Sequence, residues 1–328
     1  MRQTLRLVAA MAAVIALNAN ATSTSDSPSS YPSRPVRMVI PFSPGGATDI
    51  IARVLATALT RQTGQNFLVE NRAGANGNIA NEFVAKSAPD GYTLLINTSS
   101  IVLSPALYKK LNYDVLSDFE PVMLTSVVPL VLAVNPSVPV KTASQFVDYA
   151  HSQPGKLFYS SAGNGNVTHM ALYMLLQKLD IQATHVPYKG SGPSVVATTA
   201  GEVQFSMEPL SVVLPMIKSN RLIALAVTTT KRVDALPDTP TVAEALAMQG
   251  FEAGAWQGIL APAKTPPTII AKLNAEIGKA LADPTVRNTL AEQGAQILGS
   301  TPNEYGAYLK AELDRWSIVV KSSGVTLE

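Results

Sequence analysis

The chain contains no cysteine and only three histidines. Without cysteine there is neither a disulfide framework nor a lipid-anchoring residue behind a leader, and three scattered histidines give a metal no recognisable ligand set. A surplus of charge is missing as well: 25 basic residues stand against 23 acidic ones. Loss of Arg2 and Arg6 on processing would bring the two into balance. Nucleic acid is therefore excluded as a partner, because phosphate binding needs a clustered basic face. Long apolar runs are scarce too. Leu7 to Leu17 spans about 11 residues, against the roughly 20 that a bilayer core requires, and Pro121 to Val140 is interrupted by Pro129, Asn135 and Pro136.

What the N-terminus does contain is Arg2 and Arg6, that short apolar run, and then Ala19-Asn20-Ala21. This is the pattern of a secretory signal cleaved after Ala21, which places the mature protein in the periplasm. Residues 22–33, rich in Ser, Thr and Pro, read as a disordered leader. About 307 residues remain, enough for two domains.

Strand-like and helix-like runs alternate almost throughout, which predicts α/β layers with mostly parallel sheets. Val36 to Pro41, Phe67 to Val69, Tyr92 to Asn97, Val128 to Val134, Leu157 to Ser160, Thr184 to Pro187, Val203 to Met207 and Arg221 to Thr228 read as strands. Ile50, Ile51, Val54, Leu55, Ala58 and Leu59 recur at helical spacing. Further helices are expected over Ile79 to Ser87, Val167 to Leu179 and Val195 to Thr199. Capping signals open others at Thr142, Thr241 and Thr301, and Pro266-Pro267 opens one more. The strands Val128 to Val134 and Leu222 to Thr228 are taken as two crossovers. They divide the chain into a discontinuous first domain, 34–133 with 229–328, and a second domain, 134–228.

Three small-residue loops stand out: Ser43-Pro44-Gly45-Gly46-Ala47-Thr48, Ala73-Gly74-Ala75-Asn76-Gly77-Asn78 and Ser160-Ser161-Ala162-Gly163-Asn164-Gly165-Asn166. Each follows a strand and precedes a helix, the carboxyl-edge position where open parallel sheets bind ligands. Helix starts there offer unpaired N–H groups and a positive dipole end, which suits a small carboxylate. Tight turning alone would also explain any one such loop. Asp49 complements the dipole of the helix it opens, or contacts ligand. His169 is a structural histidine or a donor to ligand. No phosphate-binding, dinucleotide, nucleophile-elbow, S-x-x-K or H-E-x-x-H motif occurs, and catalysis finds no support.

Six ordered blocks carry a resemblance. They are "PVRMVIPFSPGGATDIIARVLA", "VENRAGANGNIANEFVAKSAPDGYTLL", "YSSAGNGNVTHMAL", "HVPYKGSGPSV", "LPDTPTVAEA" and "WQGILAPAKTPPTIIAKLN". Together they resemble the Bug family, the TctC-like periplasmic receptors of tripartite tricarboxylate transport systems. The resemblance implies a type II periplasmic binding protein: two α/β domains, a two-crossover hinge and a ligand cleft between them. It implies a receptor rather than an enzyme, with no cofactor and no metal. The implied partners are a small carboxylate, such as a di- or tricarboxylate, an amino acid or an aromatic acid, and the large and small permease subunits; the receptor is expected to be a monomer. A secreted enzyme acting on organic acids, or a receptor serving a signalling protein, is the alternative. Carried over by position, the implied ligand residues are Phe42, Ser43, Gly45, Gly46, Ala47, Thr48 and Asp49 in the first loop. Ser99 and Ser100 follow the third strand, and Ser161, Ala162, Gly163, Asn164 and Thr168 come from the second domain. His169, Tyr188, Lys189 and Glu208 are secondary. Lys189 either neutralises a second carboxylate or is solvated, and Trp256 walls the pocket or fills a core. Glu208 stands where the family commonly carries Asp in G-x-V-x-x-x-x-D.

Overall fold

A computed structural model describes residues 31–323 except residue 293. The signal segment and most of the expected leader lie outside the described residues. Of the leader, residues 31–33 are described, and Tyr31 is packed where disorder was expected: it is buried, its hydroxyl donates to the Gly91 carbonyl at 2.6 Å, and its ring meets Tyr92 edge-on.

In chain order the strands are β1 (Val36–Ile40), β2 (Phe67–Asn71), β3 (Thr93–Thr98), β4 (Phe119–Val134), β5 (Leu157–Ser161), β6 (Ala183–Pro187), β7 (Phe205–Pro209), β8 (Ile223–Val227), β9 (Gly254–Pro262) and β10 (Gln296–Ile297). The helices are α1 (Ala47–Thr63), α2 (Asn78–Ala85), α3 (Ser100–Leu107), α4 (Ala143–Ser152), α5 (Val167–Lys178), α6 (Ser191–Ala200), α7 (Leu210–Lys218), α8 (Val242–Leu246), α9 (Pro267–Ala282), α10 (Pro284–Glu292) and α11 (Pro302–Ser323). A 3₁₀ turn, Ala75–Gly77, leads into α2.

The strands lie in the order β2-β1-β3-β9-β4-β7-β5-β6, with β8 and β10 also paired to β4. Parallel pairs occupy the two flanks: β1 with β2 and β3, and β5 with β6 and β7. The centre is antiparallel, because β9 returns between β3 and β4, and β4 runs against β7, β8 and β9. The expected mostly parallel arrangement therefore holds at the flanks and reverses in the middle. The expected strand Val128 to Val134 is the second half of the 16-residue β4. Its first part, Phe119 to Pro129, pairs with β9, and Leu130 to Val134 pairs with β7.

Alternate strand residues feed two cores, one on each face of the sheet. Met38, Ile40, Leu94 and Ile96 pack on one face against Ile51, Leu55 and Leu59 of α1 and Leu273 and Ile277 of α9. Val39 and Leu95 pack on the other against α3 and the α11 residues Tyr305, Leu309 and Trp316. Burial on both faces explains why these strands are mostly apolar, with the exposed Arg37 as the break in β1.

Helix starts follow the capping signals. Thr241 and Glu244 form a reciprocal box. At Thr142 the Gln145 amide N–H donates to the threonine hydroxyl, while the Gln145 side chain accepts from Lys141 N–H. No strong local signal in the sequence marks α3, α7, α10, β9, β10 and the first half of β4.

Candidate functional site

At the carboxyl ends of the strands the chain turns straight into helices. β1 leads to α1, β3 to α3, β5 to α5, β6 to α6 and β7 to α7. Five helix starts meet at one cavity, which is lined by Gly46 and Ala47, Ser99, Asn166 and Val167, Ser191, and Pro209. Phe42, Ser43, Thr48, Asp49, Thr98, Ala162, Thr168, Ala255 and Gln257 complete the wall. The lining contains no Lys, Arg or His. The helix ends that face it each carry the equivalent of roughly half a positive charge.

The first loop keeps donors open. Gly46 is the cap residue of α1, no side chain caps the helix, and the first intrahelical donor is Ile50 N–H to Gly46 O. The N–H groups of Ala47 and Thr48 precede it and are the natural contacts for an anion. Asp49 holds the bend from behind. It accepts from Gly45 N–H at 3.0 Å, from Asn71 Nδ2 at 3.0 Å and from Arg53 Nε at 3.0 Å. Burial favours the neutral acid, but these bonds outweigh it and hold the carboxyl below its usual range. In this arrangement Gly45 N–H is committed to Asp49. The left-handed φ of Gly45, +84°, lets the bend form.

The second loop uses its donors internally. Ala162 N–H donates to Thr168 Oγ1 at 2.9 Å, and Gly163 N–H to Ser161 Oγ at 3.2 Å. Gly165 N–H donates to His169 Nδ1 at 3.1 Å, and Thr168 N–H to Asn166 Oδ1 at 3.0 Å. The rings of His169 and His185 stack at 3.8 Å, with Tyr159 beyond His185. Burial pushes His169 down to about 4; burial and then the neighbouring His169 push His185 down to about 3. Both are neutral near pH 7. His185 Nε2 lies 2.6 Å from Ser161 Oγ, which also donates to Gly163 O.

The loops of the two flanks touch. Ser43 N–H donates to Lys189 O at 3.0 Å, and Asn166 Nδ2 to Ser100 Oγ at 2.9 Å. A Cβ on Gly192 would stand 3.1 Å from Gly45 C and Pro44 O. The cavity is partly open to solvent and measures about 30 Å³.

Of the residues expected at the site, Phe42, Ser43, Gly46, Ala47, Thr48, Asp49, Ser99, Ala162 and Thr168 line the cavity. Gly45, Ser100, Ser161, Gly163 and His169 stand just behind it in the bonds described above. Asn164 and the side chain of Lys189 are exposed, and Lys189 gives only its carbonyl to the contact between loops. Tyr188 O–H donates to Glu202 at 3.2 Å. Trp256 fills a core, with its Nε1 donating to Glu312 at 3.2 Å. Glu208 is fully buried beneath the wall: Ser194 Oγ donates to its Oε1 at 2.6 Å, and Oε2 has no partner. Burial pushes this acid up to about 8, against the pull of the Ser191 and Ser194 hydroxyls.

Sequence reasoning missed Thr98, Asn166, Val167, Ser191, Pro209, Ala255 and Gln257 at the wall. Asn166 had a readable signal, an Asn at a helix cap. Ser191 did too, since Pro193 in the first turn marks a helix start. Gln257 had none, because β9 pairs with strands far away in sequence.

The family model of the "tripartite tricarboxylate transporter family receptor", TctC, matches residues 51–325. Protein BugT of Bordetella pertussis is 38% identical over 300 residues, covering 91% of this chain and 92% of that protein. Among solved structures, the R. palustris protein Rpa4515 with adipate superposes with a TM-score of 0.87 at 36% identity, covering 90% of this chain and 99% of that one. MatC from Rhodopseudomonas palustris with bound malate gives 0.82 at 34%, covering 88% and 100%. The periplasmic binding protein BugD gives 0.88 at 33%, covering 91% and 100%. With its fold, its cleft of helix starts and a match over most of its length, this chain belongs to the TctC family of tripartite tricarboxylate transporter receptors.

Proposed function

We propose that the protein is a periplasmic receptor that captures a small organic carboxylate and passes it to the membrane subunits of a tripartite tricarboxylate transporter. The observation that carries this reading is the convergence of five helix starts, with the open N–H groups of Ala47 and Thr48, on a cavity without cationic side chains. Such a site holds an anion through oriented backbone dipoles and charge-assisted hydrogen bonds. The adipate and malate of the two related structures are acids of this kind.

Residues 34–133 with 229–328, and residues 134–228, act as two lobes that swing about β4 and the segment after β8. In support, β4 changes partners between Pro129 and Leu130, and the chain returns from β8 to β9 in the other half of the sheet. Ligand on the first loop draws in the other lobe through the contacts of Ser43 with Lys189, of Pro44 and Gly45 with Gly192, and of Ser100 with Asn166. It favours the closed form only as far as it binds that form more tightly. The N-terminal signal is removed after Ala21, and the receptor works as a monomer without cofactor, metal or turnover.

Isothermal titration of the purified mature protein with a panel of aliphatic and aromatic acids tests the reading. Saturable binding of one acid per chain with no product formed is expected. No binding by any acid, or conversion of one, overturns it. Neighbouring genes for one large and one small membrane subunit support transport, whereas a neighbouring sensor kinase supports the signalling alternative.

A further inference from the structure

The sheet changes its pairing at one point. β4 leaves β9 at Pro129, which pairs with Gly254, and takes up β7 at Leu130, which pairs with Pro209. Its pairing with β8 reaches one residue less far, to Val131 opposite Val227. Proline has no N–H to give, so prolines stand on both strands where the partners change and the ladder is interrupted there.

The side chain of Thr228, the residue after β8, fills the interruption. Its hydroxyl accepts from Leu130 N–H at 3.0 Å and donates to Ala253 O at 2.6 Å, with Leu130 O at 3.1 Å as a second acceptor. The main chain repeats both links: Thr228 N–H donates to Leu130 O at 3.0 Å, and Thr228 O accepts from Ala253 N–H at 3.2 Å. Three segments are thereby tied at one residue: β4 just past its change of partners, the end of the returning crossover, and the chain that leads into β9. Thr228 and Leu130 are fully buried and Ala253 nearly so, which leaves these groups dependent on one another.

A hydroxyl differs from a ladder bond in its freedom. It turns about its own single bonds, and its one proton has two acceptors, Ala253 O in the half of the sheet that holds β9 and Leu130 O where β4 joins β7. Such a link can follow a rotation that would break a row of backbone bonds, and a hinge is made of a few positions of this kind.

We propose that the Thr228 hydroxyl is the clamp of the hinge: it holds the two crossover chains together in the arrangement where the flanking loops meet, and so sets how much of the ligand-free receptor is closed. This rests on the reading of two lobes that swing about β4 and the segment after β8. Thr228 does not line the cavity, so its influence on binding passes through the lobes alone. When the competent form is populated only in part, every ligand binds more weakly by that same fraction. Loss of the clamp therefore lowers affinity for all ligands by one common factor, whereas loss of a contact to ligand acts on each ligand differently.

The test compares the wild type with Thr228→Val, which keeps the shape and removes the hydroxyl, with Thr228→Ala as a second variant lacking it, and with Thr228→Ser, which keeps it. Small-angle scattering of the ligand-free proteins reads the separation of the lobes, and calorimetric titration with succinate, adipate and benzoate reads affinity. Both variants without the hydroxyl are expected to show a larger ligand-free radius of gyration than the wild type, and to contract to its value when saturated. They are expected to bind each acid that the wild type binds more weakly by the same factor, about threefold or more, while Thr228→Ser matches the wild type. Lower stability in urea is expected as well, since Leu130 N–H and Ala253 O lose these partners. The proposal is overturned if stability falls while radius and affinities stay at wild-type values, or if the losses differ from acid to acid. If no acid binds the wild type, the carboxylate reading falls, and the ligand-free radii still decide for or against the clamp.

Discussion

The two glycine-rich loops that face each other across the cleft look alike in sequence and behave differently. Both follow a parallel strand and open a helix. The loop before α1 commits Gly45 to Asp49 and Ser43 to the opposite flank, and leaves the first turn of its helix uncapped. The loop before α5 spends the N–H groups of Ala162, Gly163, Gly165 and Thr168 within itself. One loop presents donors, and the other is a rigid wall brought up against them. Glycine content reports that the backbone can turn tightly; where the amides point is decided by nearby side chains, an aspartate in one case and an asparagine, a threonine and a histidine in the other.

The largest expected effect comes from preventing the two flanks from meeting. Gly192→Val places a branched side chain where even a Cβ is 3.1 Å from the Pro44-Gly45 backbone. Carboxylate affinity measured by calorimetry is expected to fall by about 100-fold, with circular dichroism unchanged, since a wedge of this kind costs roughly 1–3 kcal/mol or more. An unchanged affinity would show that the loops need not touch.

Next comes removal of one open donor. Ala47 is the first residue of α1, and Gly46 before it has φ −86° and ψ 169°, a conformation that proline accepts in its predecessor. Ala47→Pro should leave the helix intact and weaken carboxylate binding by roughly 10-fold or more, the size of one charge-assisted hydrogen bond. The corresponding change on the other side is Thr168→Val, which unpairs Ala162 N–H. It is expected to lower stability by about 1–2 kcal/mol in urea titrations, with a smaller effect on affinity. If Thr168→Val proves the worse binder, the division of roles between the loops is reversed.

Acid should separate the loops further. His169 and His185 are held neutral, at about 4 and about 3, so between pH 6.5 and those values the unfolded chain binds protons that the folded one does not. Stability contributed by the second loop is therefore lost as pH falls through that window. Asp49 is held below its ordinary value, so its contribution persists to lower pH. Hydrogen exchange at pH 5 is expected to rise first in residues 161–169, and His169→Gln to flatten the melting curve against pH between 6.5 and 4. Equal loosening of both loops would count against this.

A separate effect, on stability and not on binding, is expected at Glu208, whose folded value near 8 lies above that of the unfolded chain. As pH rises from about 4.5 to 8 the unfolded chain releases this proton and the folded one keeps it, so wild-type stability declines across that range. Glu208→Gln should melt at about the same temperature as wild type at pH 5 and several degrees higher at pH 8. Parallel melting curves across that range would contradict the assignment.

Much of this architecture was legible in the sequence, and the parts that were not share a cause. The flanking strands and their helices are local βα units whose apolar runs, turns and caps lie next to one another. Val36 to Ile40 followed by the Pro-Gly-Gly bend and the stripe of Ile51, Leu55 and Leu59 could be read at a glance. β9 and the first half of β4 were missed because their pairing joins residues more than 100 apart, as with Gln257 and Ser126. The site divided in the same way. The residues of the first loop were foreseen; Gln257, placed by the return of a distant strand, could only be found by folding the chain.

The 16-residue β4 has a mechanical consequence. Because one uninterrupted strand is stitched into both halves of the sheet, neither half can melt without stripping hydrogen bonds from the same backbone that serves the other. Calorimetric denaturation should accordingly give a single cooperative endotherm, and a bend of the strand at its change of partners between Pro129 and Leu130 carries motion of one half directly to the other.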